Sequence, residues 1–218
     1  MSSRPTLPSQ RLTRLVSLCG VGETLWDIGC DHGQAGLLGG MSGAFQHVHF
    51  VDPSPSVIKI FKDKIGADIP KGFSLKIIQG KGNQIQVSSS HDTFLMAGFG
   101  GEAIIETLQH LSSQDISSSR FVLSPHRHVL GVRRYLHEGD WNLLHEEILE
   151  ENGQFYEAIV VESGAGQKVS LFGEAQWDSS VGHLRRAQLL KLLPLHRSPQ
   201  DRAFYQYLLS LQNTSNFT

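Results

Sequence analysis

Cysteine is almost missing from this chain: Cys19 and Cys30 are the only two in 218 residues. Two thiols cannot build a disulfide framework or a four-thiolate zinc site, and they fit a reducing, cytoplasmic setting. No apolar stretch approaches the roughly 20 residues that a membrane-spanning helix needs, so no membrane partner is expected. The opening Met1–Gln10 is polar and has no apolar signal-peptide core. Internal repeats are absent. Eleven histidines are present, but neither an HExxH helix nor a Cys/His cluster accompanies them, and no metal is expected. Charged residues make up only 18% of the chain and hydrophobic residues 39%. That composition folds, and the length suits one α/β domain with a small appendage.

Charge becomes informative once it is divided by segment. Residues 1–22 hold Arg4, Arg11 and Arg14 and no acid, a charge of +3. Residues 181–218 hold Arg185, Arg186, Lys191, Arg197 and Arg202 against Asp201, a charge of +4, so the middle carries −9 to give the total of −2. An acidic body with basic ends is associated with polyanion binding and predicts an affinity for RNA that falls with salt. The same arginines also suit the solvated faces of terminal helices.

Along the chain, hydrophobic spacing alternates between helix and strand periods. Leu12, Leu15, Val16 and Cys19 lie at helical spacing and end at Gly20. Strand-like runs follow at Thr24–Ile28, His47–Asp52, Phe73–Gln79, Thr93–Ala97 and Phe121–Ser124. Helical stretches come between and after them, at 33–44, 56–65, 102–111 and 129–138. This alternation predicts a mostly parallel sheet with helices on both faces. The last two strand-like runs, 142–149 and 155–162, have no helix between them, only the turn signal Glu151-Asn152-Gly153. A parallel sheet finished by an antiparallel hairpin is the Rossmann-like class I methyltransferase fold rather than the nicotinamide-binding one. The expected division is a domain over 1–165, a Gly/Ser-rich linking loop over 166–180, a short helical hairpin over 181–212 joined by a turn at 194–200, and a tail over 213–218.

Three strand ends carry the chemistry. The first reads Asp27-Ile28-Gly29-Cys30-Asp31-His32-Gly33, an acid followed by glycines at +2 and +6 that turn the chain into a helix. The loop would serve the amino-acid moiety of S-adenosylmethionine, with Asp27 organising contacts to its ammonium. Two glycines after a strand also occur in ordinary βα turns. The second strand ends at Asp52, one βαβ unit later, where a carboxylate can accept both hydroxyls of a ribose. Capping of the following helix is the other use of that residue. The fourth strand ends in Ala97-Gly98-Phe99-Gly100-Gly101. Its glycines leave room for a substrate base beside the methyl donor, and Phe99 either stacks on that base or fills the core.

In these segments the chain resembles the TrmK family of bacterial tRNA adenine-N1 methyltransferases, in order from about Gln10 to Glu162. Arg11-Leu12 through Val16 is similar to the family's opening helix, and Asp27 to His32 resembles its first motif, with Asp-His replacing the usual Gly-x. Ala97 to Gly101 is similar to its Ala-Gly-Met-Gly-Gly loop, and Glu147 to Gly153 with Tyr156-Glu157 to its final hairpin. The resemblance implies S-adenosylmethionine as cofactor and tRNA, or another structured RNA, as partner. On that basis Asp27, Gly29, Gly33, Asp52, Ala97 and Gly98 are expected at the cofactor. Phe99, Gly100, Gly101, Arg11, Arg185 and Arg186 are expected at the substrate, with Gly98–Gly101 as the floor of the base pocket. Asp31 is the candidate to stabilise charge on the methylated base, with His32 and His126 as alternates.

The departures from the family are specific. Gly80-Lys81-Gly82 stands where the family has Gly-Asp-Gly, whose acid usually faces the donor's adenine amine. Phe99 replaces Met, and Ser124-Pro125-His126 replaces Gln-Pro-Asn. The family's long C-terminal arm is reduced to the short helix pair. Two alternatives therefore stand beside tRNA methylation: a methyltransferase with another substrate, and an RNA-binding protein with weakened catalysis.

Overall fold

The computed structural model describes residues 9–65, 71–87, 89–173, 176–177, 179–192, 203, 206–207 and 210. Seven strands form one sheet: β1 (Gly22–Ile28), β2 (Phe45–Asp52), β3 (Ser74–Gln79), β4 (Thr93–Ala97), β5 (Arg120–Ser124), β6 (Trp141–Glu151) and β7 (Gln154–Ser163). Their order across the sheet is β3-β2-β1-β4-β5-β7-β6. The first five strands run parallel, while β7 is antiparallel to both β5 and β6. The hairpin turn has Asn152 at φ +54° and Gly153 at φ +75°, the left-handed pair that matches strand twist.

Among the described residues the strands are accompanied by helices α1 (Gln10–Leu18), α2 (Gln34–Met41), α3 (Pro55–Ile65), α4 (Gly101–Leu111), α5 (Val129–Glu138) and α6 (Ser180–Leu192). Ser9 caps α1 by accepting the Leu12 N–H at 3.2 Å. Ser54 Oγ accepts the Val57 N–H at 3.4 Å, so Ser54 caps α3 and Pro55 takes the first helical position, where a missing N–H costs nothing. α2 contains glycines at 36, 39 and 40, a poor helix composition by propensity alone. Close packing explains them: a Cβ on Gly36 would lie 2.4 Å from the Phe50 ring, and one on Gly39 would lie 2.3 Å from Leu25.

Two apolar clusters cover the two faces of the sheet. Phe94 and Met96 of β4 belong to one and Leu95 to the other, the alternation that a strand buried on both faces requires. Within the 166–180 stretch, expected as a linking loop, Val169 is fully buried and the Ser170 carbonyl accepts from Arg133 Nη1 at 2.9 Å. The 194–200 turn, most of the second appendage helix and the tail lie outside the described residues, as do Arg4, Arg197, Arg202 and the side chain of Arg186. Among the described residues no helix is long and apolar enough to cross a membrane.

Candidate active site

Strand order puts β1 and β4 side by side with their crossovers leaving in opposite directions, so a crevice opens beyond their carboxyl ends. A cavity of about 550 Å³ occupies it. Asp27, Gly29, Asp31, His32 and Asp52 line it from the β1 and β2 ends; Ala97, Gly98 and Phe99 line it from the β4 end, with Arg11 and His126 completing the wall. Gly33, Gly100 and Gly101 do not line it. Gly33 packs against Phe61, and Gly101 is pressed against the 127–128 backbone and Val132. Of the 98–101 stretch expected as the floor of a base pocket, Gly98 and Phe99 line this cavity.

Asp27 is buried and Oδ2 accepts the Gly36 N–H at 2.8 Å, tying the strand end to the first turn of α2. Burial, reinforced by Asp52 and Asp31, pushes its carboxyl from 3.8 up to about 7, although the Gly36 bond opposes the shift. The neighbouring Cys19 and Cys30 thiols are raised in turn, chiefly by burial and then by Asp27, and stay neutral. Asp52 is also buried; Oδ1 accepts the Ser54 N–H at 2.8 Å and Oδ2 the Asp31 N–H at 3.3 Å. Because Ser54 caps α3, Asp52 is not spent as the helix cap, and these two bonds orient its carboxylate at the cavity.

Asp31 adopts φ +46°, a left-handed conformation that Asp tolerates better than most side chains. That is how it stands where the generic loop has glycine. Its side chain is exposed, with Oδ1 3.8 Å from His32 Nε2. Gly98 is at φ +90° and a Cβ there would meet nothing within 4 Å. A Cβ on Gly29, by contrast, would lie 2.6 Å from the Phe99 ring, so Phe99 packs against the first loop while also contacting one core cluster.

Arg11 and Arg14 reach the hairpin. Arg14 Nε lies 2.7 Å from Glu147, and Arg11 lies 3.9 Å from Glu151 with its guanidinium 4.5 Å from the Tyr156 ring centroid. Arg11 Nε and Nη1 are buried without hydrogen-bond partners. The His126 N–H donates to the Phe99 carbonyl at 3.1 Å. Burial and then the charges of Arg11 and Arg127 hold the His126 imidazole below its ordinary range, so it is neutral at pH 7.

A family model described as a methyltransferase domain matches residues 8–159. The chain belongs to this methyltransferase-domain family. It is 26% identical over 164 residues to the tRNA (adenine(22)-N(1))-methyltransferase of Bacillus subtilis, a match covering 72% of this chain and 65% of that protein. A second relative, from Mycoplasma pneumoniae, is matched over 66% of its length. The chain thus spans just under two thirds of the curated relatives it matches. The crystal structure of the B. subtilis M1A22 tRNA methyltransferase TrmK is similar in fold (TM-score 0.73, 20% identity, 96% of this chain and 97% of that one). So is a Streptococcus pneumoniae protein solved in complex with S-adenosyl-L-methionine (TM-score 0.75, 21% identity, 94% and 97%).

In this methyltransferase domain the far end of the cavity is built by residues the sequence reading missed: Asn83, Glu106 and Thr107. A 3-10 turn over Gly82–Gln84 brings Asn83 against α4, where Nδ2 donates to Glu106 Oε2 at 3.3 Å. Its Oδ1 is buried without a partner. Glu106 fixes the amide orientation, since the flipped amide would put two oxygens together. The one visible signal in the sequence was the Lys81 departure, two residues earlier.

Proposed function

We propose that this protein transfers a methyl group from S-adenosylmethionine to N1 of an adenine in tRNA, in the cytoplasm. The observation that carries the reading is one cavity, in a methyltransferase domain, that joins two buried acids from adjacent strand ends to the open Gly98. Asp27 and Asp31 supply negative charge suited to the donor's ammonium, and Asp52 supplies acceptors suited to its ribose. Asn83 Oδ1 is the partnerless acceptor at the end where Lys81 has displaced the family's acid, and it suits the amine of the donor's adenine. Gly29 and Gly98 leave the backbone uncovered for close approach. The Bacillus subtilis relative, a tRNA (adenine(22)-N(1))-methyltransferase, supports tRNA and adenine N1 as the target.

When bound, the donor supplies an electrophilic methyl on a sulfonium sulfur. The N1 lone pair forms the new N–C bond as the S–C bond breaks and sulfur keeps the electron pair. No covalent enzyme intermediate is needed, and alignment supplies most of the rate. N1 lies on the Watson–Crick edge, so the base must be unpaired before it enters. The product base is cationic. Asp31, exposed at the cavity wall, stabilises that charge, and His126 is neutral and able to accept a proton should N6 release one. Incubation with labelled donor and bulk tRNA tests the reading; absence of label from the RNA, with folded protein that binds donor, rejects it.

Asp52→Ala should weaken S-adenosylmethionine and its demethylated product alike by about 1.5–3 kcal/mol, the range for hydrogen bonds to a charged group; calorimetry with both ligands checks this. Donor affinity should also rise with pH through about 7, where the buried Asp27 ionises, because only the carboxylate attracts the ammonium. Asp27→Asn should remove that pH dependence. The stability effect runs the other way. The folded protein holds Asp27's proton from about 4 to about 7 while the unfolded chain has lost it, so Asp27's contribution to stability falls as pH rises through that window. Urea titrations from pH 5 to 8 on wild type and Asp27→Asn read the difference.

A further inference from the structure

A second cavity of about 680 Å³ opens beside the first, and His126 lines both. Its walls come from the loop after β5, one face of α5, the hairpin and α6. Three arginines reach it: Arg127 and Arg134, both exposed, and Arg185, whose guanidinium carbon lies 5.5 Å from the Phe155 ring centroid. Flat side chains stand among them. Tyr156 carries Arg11 over its ring at 4.5 Å, and the His126 ring centroid lies 5.3 Å away. The lining carboxylates are Glu138 and Glu157, and Glu157 is already held by the buried Arg133 at 2.7 Å. The cavity is therefore cationic and aromatic, separated from the donor cavity by one neutral imidazole.

We infer that this second cavity is a subsite for the RNA nucleotide next to the target adenine, with its flanking phosphates on Arg127, Arg134 and Arg185. The inference rests on the proposed RNA methylation. A base withdrawn from its stack brings its neighbours along on a continuous backbone, so a nucleotide one unit away must lie against whatever adjoins the donor cavity. Guanidinium groups take phosphates in bidentate fashion, and unstacked bases rest on aromatic or guanidinium planes. A single small anion would leave most of this volume empty, whereas it lies within the usual range for an organic ligand. Arg127 and Arg134 thereby extend the RNA surface from the chain ends, where the charge distribution had pointed, to the rim of the active site.

The test is steady-state methylation of a tRNA transcript by the full chain and by the double variant Arg127→Gln/Arg134→Gln. Both side chains are exposed, so melting temperature and donor affinity should stay at wild-type values; if the double variant unfolds, Arg134→Gln alone serves. The expected result is a KM for RNA raised about tenfold with kcat changed by less than about twofold. The log–log salt slope of RNA binding should flatten by about 1.4, at roughly 0.7 per single-strand phosphate contact, or by about 0.7 for the single variant. A transcript lacking the base on either side of the target should raise KM for the wild type on one of the two sides. Unchanged KM and salt slope in the variant, with an active wild type, overturn this subsite and leave RNA methylation standing. A fall in kcat alone also overturns it. If the wild type labels no RNA, the parent reading falls and takes this inference with it.

Discussion

Truncating Arg133 to alanine should remove about 3–5 kcal/mol of folding stability, the cost of leaving buried charges unpaired. The guanidinium is fully buried between α5 and the final hairpin. Nε donates to Glu157 at 2.7 Å, Nη2 to Glu146 at 2.8 Å, and Nη1 to the Ser170 carbonyl at 2.9 Å. Burial alone would lower its pKa, but Glu157 and Glu146 outweigh it and hold the side chain above the ordinary arginine range. The chain wraps it closely, and a Cβ on Gly173 would lie 2.4 Å from Nη2. Alanine leaves both carboxylates without their cation and removes the bond to the Ser170 carbonyl, one of the ties on the 166–173 stretch. For a domain with a typical total stability of about 5–15 kcal/mol, such a loss is large. Urea unfolding should show a much lower midpoint with a similar slope. Replacing Arg133, Glu146 and Glu157 together by apolar residues of similar size should recover most of it. A shift under about 1 kcal/mol for the single variant would refute the role given to the triad.

Gly98→Val should lower methyl transfer by about a hundredfold or more, on the scale that misplacing reacting groups by an ångström produces. At φ +90° the residue is in a region that side chains rarely adopt, and its Cβ would project into space with no atom within 4 Å. The branched side chain therefore both strains the loop and fills the junction that the proposed function assigns to donor and base. Gly100 is the control. It has φ −73° and ψ 148°, and its added Cβ would meet only the end of the Glu102 side chain at 3.2 Å. Gly100→Ala should transfer methyl within about threefold of wild type. Single-turnover assays separate the two variants, and a melting curve shows whether Gly98→Val remains folded. Equal rates for Gly98→Val and wild type would move the reacting groups away from the β4 loop.

The fold was legible where the chain's own period and punctuation decide the outcome. The alternation of strand and helix runs, Asn152-Gly153 at the hairpin and the acids at Asp27 and Asp52 all sit where the sequence implied. Element ends moved by a residue or two, except α2, which stops at Met41 rather than near Ala44. The site was legible only in part, because cavities join residues distant in sequence. Asn83 and Glu106 meet only because α4 packs on the turn after β3, across the strand order. Gly98 and Gly100 look alike in the chain, and only backbone direction separates the one facing the cavity from the one that does not. Arg133 and Arg134 are identical neighbours in the chain, yet Arg133 is sealed inside the protein and Arg134 is exposed. The basic N-terminus likewise suggested a free patch for RNA, while Arg11 and Arg14 are paired with hairpin acids.

Nucleoside analysis of tRNA incubated with the full chain and labelled S-adenosylmethionine is the most direct test of methyl transfer to adenine N1. The label is expected to elute as 1-methyladenosine, and Asp31→Asn should lower turnover more than it lowers RNA affinity. Label in a different nucleoside, or label confined to protein or small molecules while the tRNA stays unmodified, would contradict transfer to adenine N1.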